Sequence, residues 1–158
     1  MPENIISEQN KFFMKLAIEE AIKSYKNNEV PIGALIVKND KIISASSNSV
    51  EKDLSTIMHA EIKVIISAQK ILQSWRLSGC TLYVTLEPCL MCCGAIVLSR
   101  IKKLVYAAHD PKAGAVNSLY NTLSDKRLNH TAEIVGGIME EESSALLKKF
   151  FKEIRNKK

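Results

Sequence analysis

The 158-residue sequence contains no long apolar run, no internal repeat and no low-complexity segment. Without about 18 consecutive apolar residues, it has no candidate for a membrane-spanning helix. Its first residues also lack the basic region and the following apolar region of a secretory signal peptide. No linker divides the chain, and its length suits one compact unit. We therefore expect one domain over residues 1–158, located in the cytoplasm and away from membranes.

Cysteine is scarce, with four in the chain, but three of the four lie within five positions. The cluster consists of Cys89, Cys92 and Cys93, whereas Cys80 begins an apolar run and is expected in the core. In a reducing compartment such clusters bind metals or take part in redox chemistry more often than they form structural disulfides. The cysteines therefore predict a metal or thiol site.

Acidic residues are outnumbered, because 17 Asp and Glu face 22 Lys and Arg, which gives a net charge of +5. An excess this small is typical of a solvated surface. The position of the charge is more informative. Near the C-terminus a single acid, Glu153, lies among six basic residues: Lys148, Lys149, Lys152, Arg155, Lys157 and Lys158. Such a segment favours an anionic partner such as nucleic acid.

Hydrophobic periodicity predicts an alternation of helices and strands. The predicted helices span residues 7–28, with Ser7 as the N-cap, and residues 59–74, 89–99 and 139–156. The predicted strands span residues 30–37, 41–46, 80–86, 101–108 and 131–135. Residues 47–58 and 109–129 are predicted loops, and a loop as long as the second is usually functional.

The connections between these strands predict a mixed sheet. Asn39 and Asp40 indicate a tight turn, so the first two strands should form an antiparallel hairpin. The run of strand, helix and strand over residues 80–108 is a crossover unit, and its two strands should therefore be parallel.

Candidate metal ligands occur where two predicted helices begin. His59 starts one helix and Cys89 the other, with Cys92 three residues further on. Residues three apart on a helix share a face, so the two cysteines can bind one ion. Cys93 falls on the same side, and periodicity alone leaves it open as the second thiolate. The two-residue gap favours Cys92, with Cys93 as a small packed residue. Three protein ligands with a fourth position for water are the pattern of a catalytic zinc site.

Glu61 lies two residues after the histidine, at the start of the same predicted helix. A zinc ion lowers the pKa of its bound water towards 7, and a nearby carboxylate can then carry the proton. We therefore predict Glu61 as a proton carrier and not as a ligand. A thiol redox pair, the other interpretation of Cys-x-x-Cys, would explain neither His59 nor Glu61.

His-x-Glu followed by Pro-Cys-x-x-Cys is the signature of zinc-dependent nucleobase deaminases. The chain resembles the bacterial tRNA-specific adenosine deaminases of the cytidine/deoxycytidylate deaminase superfamily from its first helix to its last. Matching segments are Val30-Pro-Ile-Gly-Ala34, Thr81-Leu-Tyr-Val-Thr-Leu-Glu-Pro-Cys89, Ser99-Arg-Ile101, Asp110-Pro-Lys112, Gly114-Ala115, Ser118-Leu119, Asn129-His130 and Phe150-Phe151.

The resemblance implies a three-layer α/β/α cytidine-deaminase-like fold with a mixed five-stranded sheet. It also implies deamination of adenosine to inosine at the wobble position (34) of the tRNA anticodon, in an arginine tRNA, by a homodimer with one Zn²⁺ per subunit. His59, Cys89 and Cys92 would bind the zinc, and Glu61 would be catalytic. The implied substrate contacts are Asn48 to the flipped base, Val30, Pro31 and Ala60 lining its pocket, Asp110, Lys112, Ser118 and Asn129 at the flanking nucleotides, and Phe150 and Phe151 bordering the RNA site.

Two other functions use the same metal ligands. One is deamination of a free nucleobase or nucleoside such as guanine, cytosine or cytidine, which would need no phosphate-binding surface. The other is a zinc-stabilised RNA-binding module, for which Glu61 would have no use. The chain also departs from the family pattern at Ser55–Met58, where Asp-Pro-Thr-Ala is common, so the path of that loop is not predicted.

Overall fold

The computed structural model describes residues 3–158, and its first element is helix α1, Glu3–Lys26. Met1 and Pro2 lie outside the described residues. They belong to the predicted domain and to the N-terminal stretch that lacks the features of a signal peptide. Ser7 lies inside the helix, so the prediction of an N-cap there is wrong. No residue between Glu3 and Ser7 breaks the helix. Glu3, in the first turn, interacts favourably with the helix dipole and so stabilises the earlier start.

The predicted hairpin is confirmed as strands β1, Gly33–Lys38, and β2, Lys41–Ser47, which pair antiparallel. Asn39 and Asp40 between them have φ angles of 50° and 61°. Two successive left-handed residues make a type I′ turn, whose twist matches that of the flanking strands. The hairpin therefore forms as the local sequence predicts.

The remaining strands are β3, Thr81–Leu86, β4, Lys103–Ala108, and β5, Glu133–Val135. The sheet order is β2-β1-β3-β4-β5, with β1 and β3 antiparallel and the β3–β4 and β4–β5 pairs parallel. The predicted mixed five-stranded sheet is thus confirmed. Its parallel half places the ends of β3 and β4 on the same edge.

The helices are α2, Val50–Asp53, α3, Ala60–Leu72, α4, Leu90–Leu98, and α5, Glu140–Asn156, in addition to α1. The short helix α2 lies within residues 47–58, which were predicted as a loop. One 3₁₀ turn, Thr122–Ser124, interrupts the second predicted loop.

Apolar side chains on both faces of the sheet produce three layers. On one face Met14 and Ala17 of α1 pack with Leu35 and Tyr83, and Ser143 of α5 donates a 2.5 Å hydrogen bond to the carbonyl of Thr85. The opposite face is covered by α3 and α4 through a second cluster of buried side chains: Val64, Ile65, Ile96, Ile36, Leu82 and Leu104. The three-layer α/β/α prediction is confirmed. Among residues 3–158, no helix is both long and apolar enough to span a membrane.

Gly33 provides a test of how α1 packs on β1. A Cβ atom there would lie 2.1 Å from the Ala17 carbonyl oxygen and 2.5 Å from the Ala21 nitrogen. Because both are backbone atoms, we expect Gly33→Ala to lower the free energy of unfolding by about 2–3 kcal/mol. Urea denaturation measures this change. Gly94→Ala is the control, since its Cβ would meet nothing within 4 Å; equal midpoints for the two variants would contradict the packing.

Candidate metal centre and substrate groove

Two helix N-termini converge at the edge of the sheet where β3 ends. His59 is the N-cap residue of α3 and Cys89 that of α4, both in extended conformation. Neither side chain caps its own helix, so both are free to point past the helix ends. The positive ends of two helix dipoles therefore favour negative charge at this point.

The three predicted ligands form one group. The Nδ1 atom of His59 lies 3.7 Å from the Sγ of Cys89 and 3.6 Å from the Sγ of Cys92. With Zn–S near 2.3 Å and Zn–N near 2.0 Å, nitrogen and sulfur ligands of a tetrahedral ion lie about 3.6 Å apart. The group therefore fits a tetrahedral metal ion.

Cys93, which periodicity left open as a ligand, points elsewhere. Its thiol donates to the carbonyl of Pro88 at 3.8 Å, and burial raises its pKa to about 12. A thiol with so high a pKa stays neutral and serves as a packed apolar group. Cys80 is also buried in the core, as expected.

Hydrogen bonds among the three ligands favour the thiolate form of one of them, Cys89. The hydrogen bond from Cys92 lowers the pKa of Cys89 to about 4, and the same contact raises the pKa of Cys92. The pKa of His59 is raised, chiefly by its hydrogen bond to Cys89. Thiolate is the form of cysteine that binds metals, so Cys89 is ready for an ion at neutral pH.

Glu61, the second residue of α3, is only 4 % exposed. Burial raises its pKa to about 7, and its Oε2 atom has no hydrogen-bond partner among the described residues. An unpaired buried carboxylate oxygen is destabilising, and a polar group bound at the metal centre would satisfy it. A carboxyl group with a pKa near 7 can both take up and release a proton at neutral pH.

Asn48 borders a cavity of about 520 Å³ that reaches the metal centre. The cavity is lined by Val30, Asn48, His59, Phe150, Phe151, Arg155 and Lys158, among others. The side-chain amide of Asn48 donates to the carbonyl of Val30 at 3.2 Å, and the hydroxyl of Ser24 donates to the carbonyl of Asn48 at 2.7 Å. The side chain is therefore held at the cavity wall.

A second cavity of about 710 Å³ adjoins the first and shares Val30, Phe151 and Arg155 with it. Its other walls include Asp110, Pro111, Lys112, Leu147 and Lys148. We call the two cavities together the groove. It leads from the metal centre across α5 to the loop after β4, and cationic side chains line it along both parts.

Four predicted contact residues lie outside the walls of the groove: Pro31, Ala60, Ser118 and Asn129. The hydroxyl of Ser118 donates to the buried carboxylate of Glu87. Pro31 is buried beside Val30, and Ala60 is buried at the start of α3 next to His59. Asn129 lies further away, because its neighbour His130 contacts the carbonyl of Ile101 at 2.7 Å, before the start of β4. The structure thus does not bring Asn129 together with the metal centre, and its role stays a prediction.

A buried glutamate that was not among the predicted site residues holds the loop after β4. The carboxylate of Glu87, the first residue after β3, accepts hydrogen bonds from the backbone N–H groups of Asp110, Val116, Asn117 and Ser118. The Ser118 hydroxyl adds a 2.5 Å hydrogen bond. Burial opposes ionisation, but the hydrogen bonds prevail and lower the pKa of Glu87 to about 2. Periodicity gave no signal for this role.

A second buried glutamate explains why the loop before α3 contains a helix. Glu29 accepts hydrogen bonds from the backbone N–H groups of Glu51 and Lys52, the free donors in the first turn of α2. Lys63 of α3 donates to the carbonyl of Ser47 at 2.8 Å. These contacts fix the chain on both sides of Asn48. A long-range cap of this kind has no local sequence signal.

Comparisons with known proteins agree with this geometry. A family model of MafB19-like deaminases matches residues 7–155. The chain is 51 % identical over 150 residues to a tRNA-specific adenosine deaminase of Bacillus subtilis, covering 95 % of this chain and 93 % of that protein. It is 46 % identical to one of Aquifex aeolicus, covering 92 % and 95 %.

Among solved structures, the chain is similar to one from studies of A-to-I editing by tRNA:A34 deaminases at the wobble position of transfer RNA. The TM-score is 0.83 at 43 % sequence identity. The match covers 86 % of this chain and 99 % of that one, so nearly the whole solved structure has a counterpart here.

Replacing a predicted ligand should release the metal, whereas replacing its neighbour should not. We expect purified protein to carry about one metal ion per chain and Cys92→Ala to lose it, because two ligands leave the coordination shell half filled. Inductively coupled plasma mass spectrometry after dialysis measures the content. Cys93→Ala is the matched control and should keep the ion. Loss from both variants, or from neither, would contradict the assignment of ligands.

Proposed function

This chain belongs to the MafB19-like deaminase family, and we propose that it converts adenosine to inosine by hydrolysis at the wobble position (34) of an arginine tRNA anticodon. The names of its relatives support this function. The observation that carries it is the buried carboxylate of Glu61 beside a three-ligand metal centre, at the end of a groove lined with cations. A structural metal site would need no such carboxylate.

Zinc is the proposed metal, with one ion per subunit held by His59, Cys89 and Cys92. Two sulfur ligands and one imidazole suit zinc and leave a fourth position for water. When bound, zinc would lower the pKa of that water so that it can attack C6 of the adenine ring at neutral pH.

Glu61 moves the protons of the reaction through its unpaired Oε2 atom. The carboxylate takes the proton of the attacking water and delivers it to the ring nitrogen beside C6. It then assists departure of the exocyclic amino group, so that water and adenosine become inosine and ammonia. A pKa near 7 suits both directions of transfer.

The groove favours an RNA substrate over a free base. A single base could be bound by Asn48, Val30 and the first residue of α3 at the metal end. The cationic side chains further along the groove, Lys112, Lys148, Arg155 and Lys158, have no use in that reaction but suit the phosphates of flanking nucleotides. Asp110, Ser118, Asn129, Phe150 and Phe151 are the further proposed contacts, with Pro31 supporting the base pocket from behind.

The proposed assembly is a cytoplasmic homodimer. Large apolar side chains around α4 and the loop after β4 are exposed, Leu98 by 70 % and Leu119 by 54 %. Burial of such a surface against a second copy would stabilise a dimer. The resemblance to the tRNA-specific adenosine deaminases leads to the same assembly.

Activity on an anticodon stem-loop is the direct test. We expect the zinc-loaded protein to convert the wobble adenosine of an arginine-tRNA stem-loop to inosine, detected by mass spectrometry of the digested RNA. Glu61→Ala is the matched variant, which should keep its zinc while turnover falls by about 10²–10⁴-fold. Deamination of free guanine or cytidine without reaction of the stem-loop would refute the substrate, and full activity of Glu61→Ala would refute the mechanism.

The groove cations should set the salt dependence of binding. With labelled stem-loop and the Glu61→Ala protein, Lys112→Ala and Arg155→Ala should each weaken binding and reduce the slope of log affinity against log salt by about 0.7. Fluorescence anisotropy at several salt concentrations measures the slope. Lys102→Ala, an exposed lysine before β4, should leave it unchanged. An unaltered slope in the groove variants would place the RNA elsewhere.

A further inference from the structure

The loop after β4 depends on one buried side chain for its conformation. The Oε2 atom of Glu87 accepts three consecutive backbone N–H groups, from Val116 at 3.1 Å and from Asn117 and Ser118 at 2.9 Å. Its Oε1 atom accepts the N–H of Asp110 at 3.1 Å and the Ser118 hydroxyl. A single carboxylate therefore joins both ends of the segment 110–118, which has no helix or strand of its own.

The segment is shaped to receive this carboxylate. A Cβ atom at Gly114 would lie 2.4 Å from the carboxylate carbon of Glu87 and 2.6 Å from the Asp110 carbonyl oxygen. The neighbouring residue Ala115 donates its N–H to the carbonyl of Pro88 at 2.8 Å. The segment therefore packs against Glu87 and Pro88, because Gly114 has no side chain in the way and Ala115 donates a backbone hydrogen bond to Pro88.

Glu87 and Pro88 immediately precede the metal ligand Cys89. The backbone N–H of Glu87 donates to the carbonyl of Ala108 at 2.8 Å, so the residue is also fixed to the end of β4. Asp110 and Lys112, at one end of the segment, line the groove. One side chain therefore connects the residues that bind the metal with the residues that face the RNA.

We propose that Glu87 is a positioning residue, which holds segment 110–118 in the conformation that binds the nucleotides flanking the target adenosine. It touches neither substrate nor metal. Its effect is on the geometry of the groove, and the kinetic part of this inference rests on the function proposed above. The hydrogen-bonding part does not.

Glu87→Gln tests the hydrogen bonds without changing the shape of the side chain. One amide oxygen can still accept the three N–H groups of residues 116–118, but the amide NH₂ then meets the N–H of Asp110, and two donors face each other. Hydrogen–deuterium exchange read by mass spectrometry should show faster exchange across 110–118 and unchanged exchange in α3 and α4. Unchanged exchange in the segment would overturn the proposal whether or not the protein deaminates RNA.

Steady-state kinetics on the stem-loop separate positioning from damage to the metal centre. We expect KM to rise about tenfold in Glu87→Gln, the cost of one lost hydrogen bond to a charged group, with kcat within about threefold and zinc retained. Glu19→Gln, an exposed glutamate on α1, is the matched control. Loss of zinc with a fall in kcat at constant KM would assign Glu87 to the metal centre and overturn the proposal.

Gly114→Ala disturbs the same contact from the loop without replacing any ionisable side chain. Its new Cβ would displace the carboxylate, so it should reproduce both the faster exchange and the higher KM. This variant also keeps the test decisive if Glu87→Gln fails to fold. Wild-type KM and exchange in Gly114→Ala would overturn the proposal. A wild-type protein that never reacts with the stem-loop would instead refute the proposed function, and the exchange result would stand.

Discussion

The meeting of two helix N-termini at one edge of the sheet is the constraint on which the rest of the site depends. The parallel pairing of β3 and β4 fixes the end of β3 at that edge, and α4 begins there with Cys89. The hairpin and α3 bring His59 to the same point. Helix dipoles stabilise anions at such a place, so a thiolate, a carboxylate and a metal-activated water can share a small volume.

The groove is built differently from the metal centre, because its walls come from loops and from α5. Each loop is held by a buried carboxylate that accepts backbone N–H groups, Glu29 for the loop that carries Asn48 and Glu87 for the loop that carries Asp110. Loops that bind ligands are often ordered only by the ligand. Here the hydrogen bonds order them in advance, which lowers the entropy lost on binding.

Local signals in the sequence predicted much of this structure. The turn at Asn39 and Asp40, the strand periods and the ligand spacing depend on neighbouring residues, and the hairpin, the sheet and the metal group agree with them. Helix α2 was missed because its stabilising group, Glu29, lies more than twenty residues upstream. A period of 3.6 residues does not separate Cys92 from Cys93; the two-residue gap favoured Cys92, and the directions of the two thiols agree with it. The role of Asn129 remains a prediction.

The buried carboxylates also affect how the groove meets a polyanion. The side chains of Glu29 and Glu87 accept hydrogen bonds from peptide N–H groups and, for Glu87, from the Ser118 hydroxyl, without a lysine or arginine as partner. Lys112, Lys148 and Arg155, which line the groove, are therefore not ion-paired with these two acids. Cations without an ion-pair partner attract an approaching nucleic acid over about a Debye length and raise the rate of encounter. Because the buried acids are hydrogen-bonded to the backbone, the lysines and arginine of the groove stay available to attract the substrate.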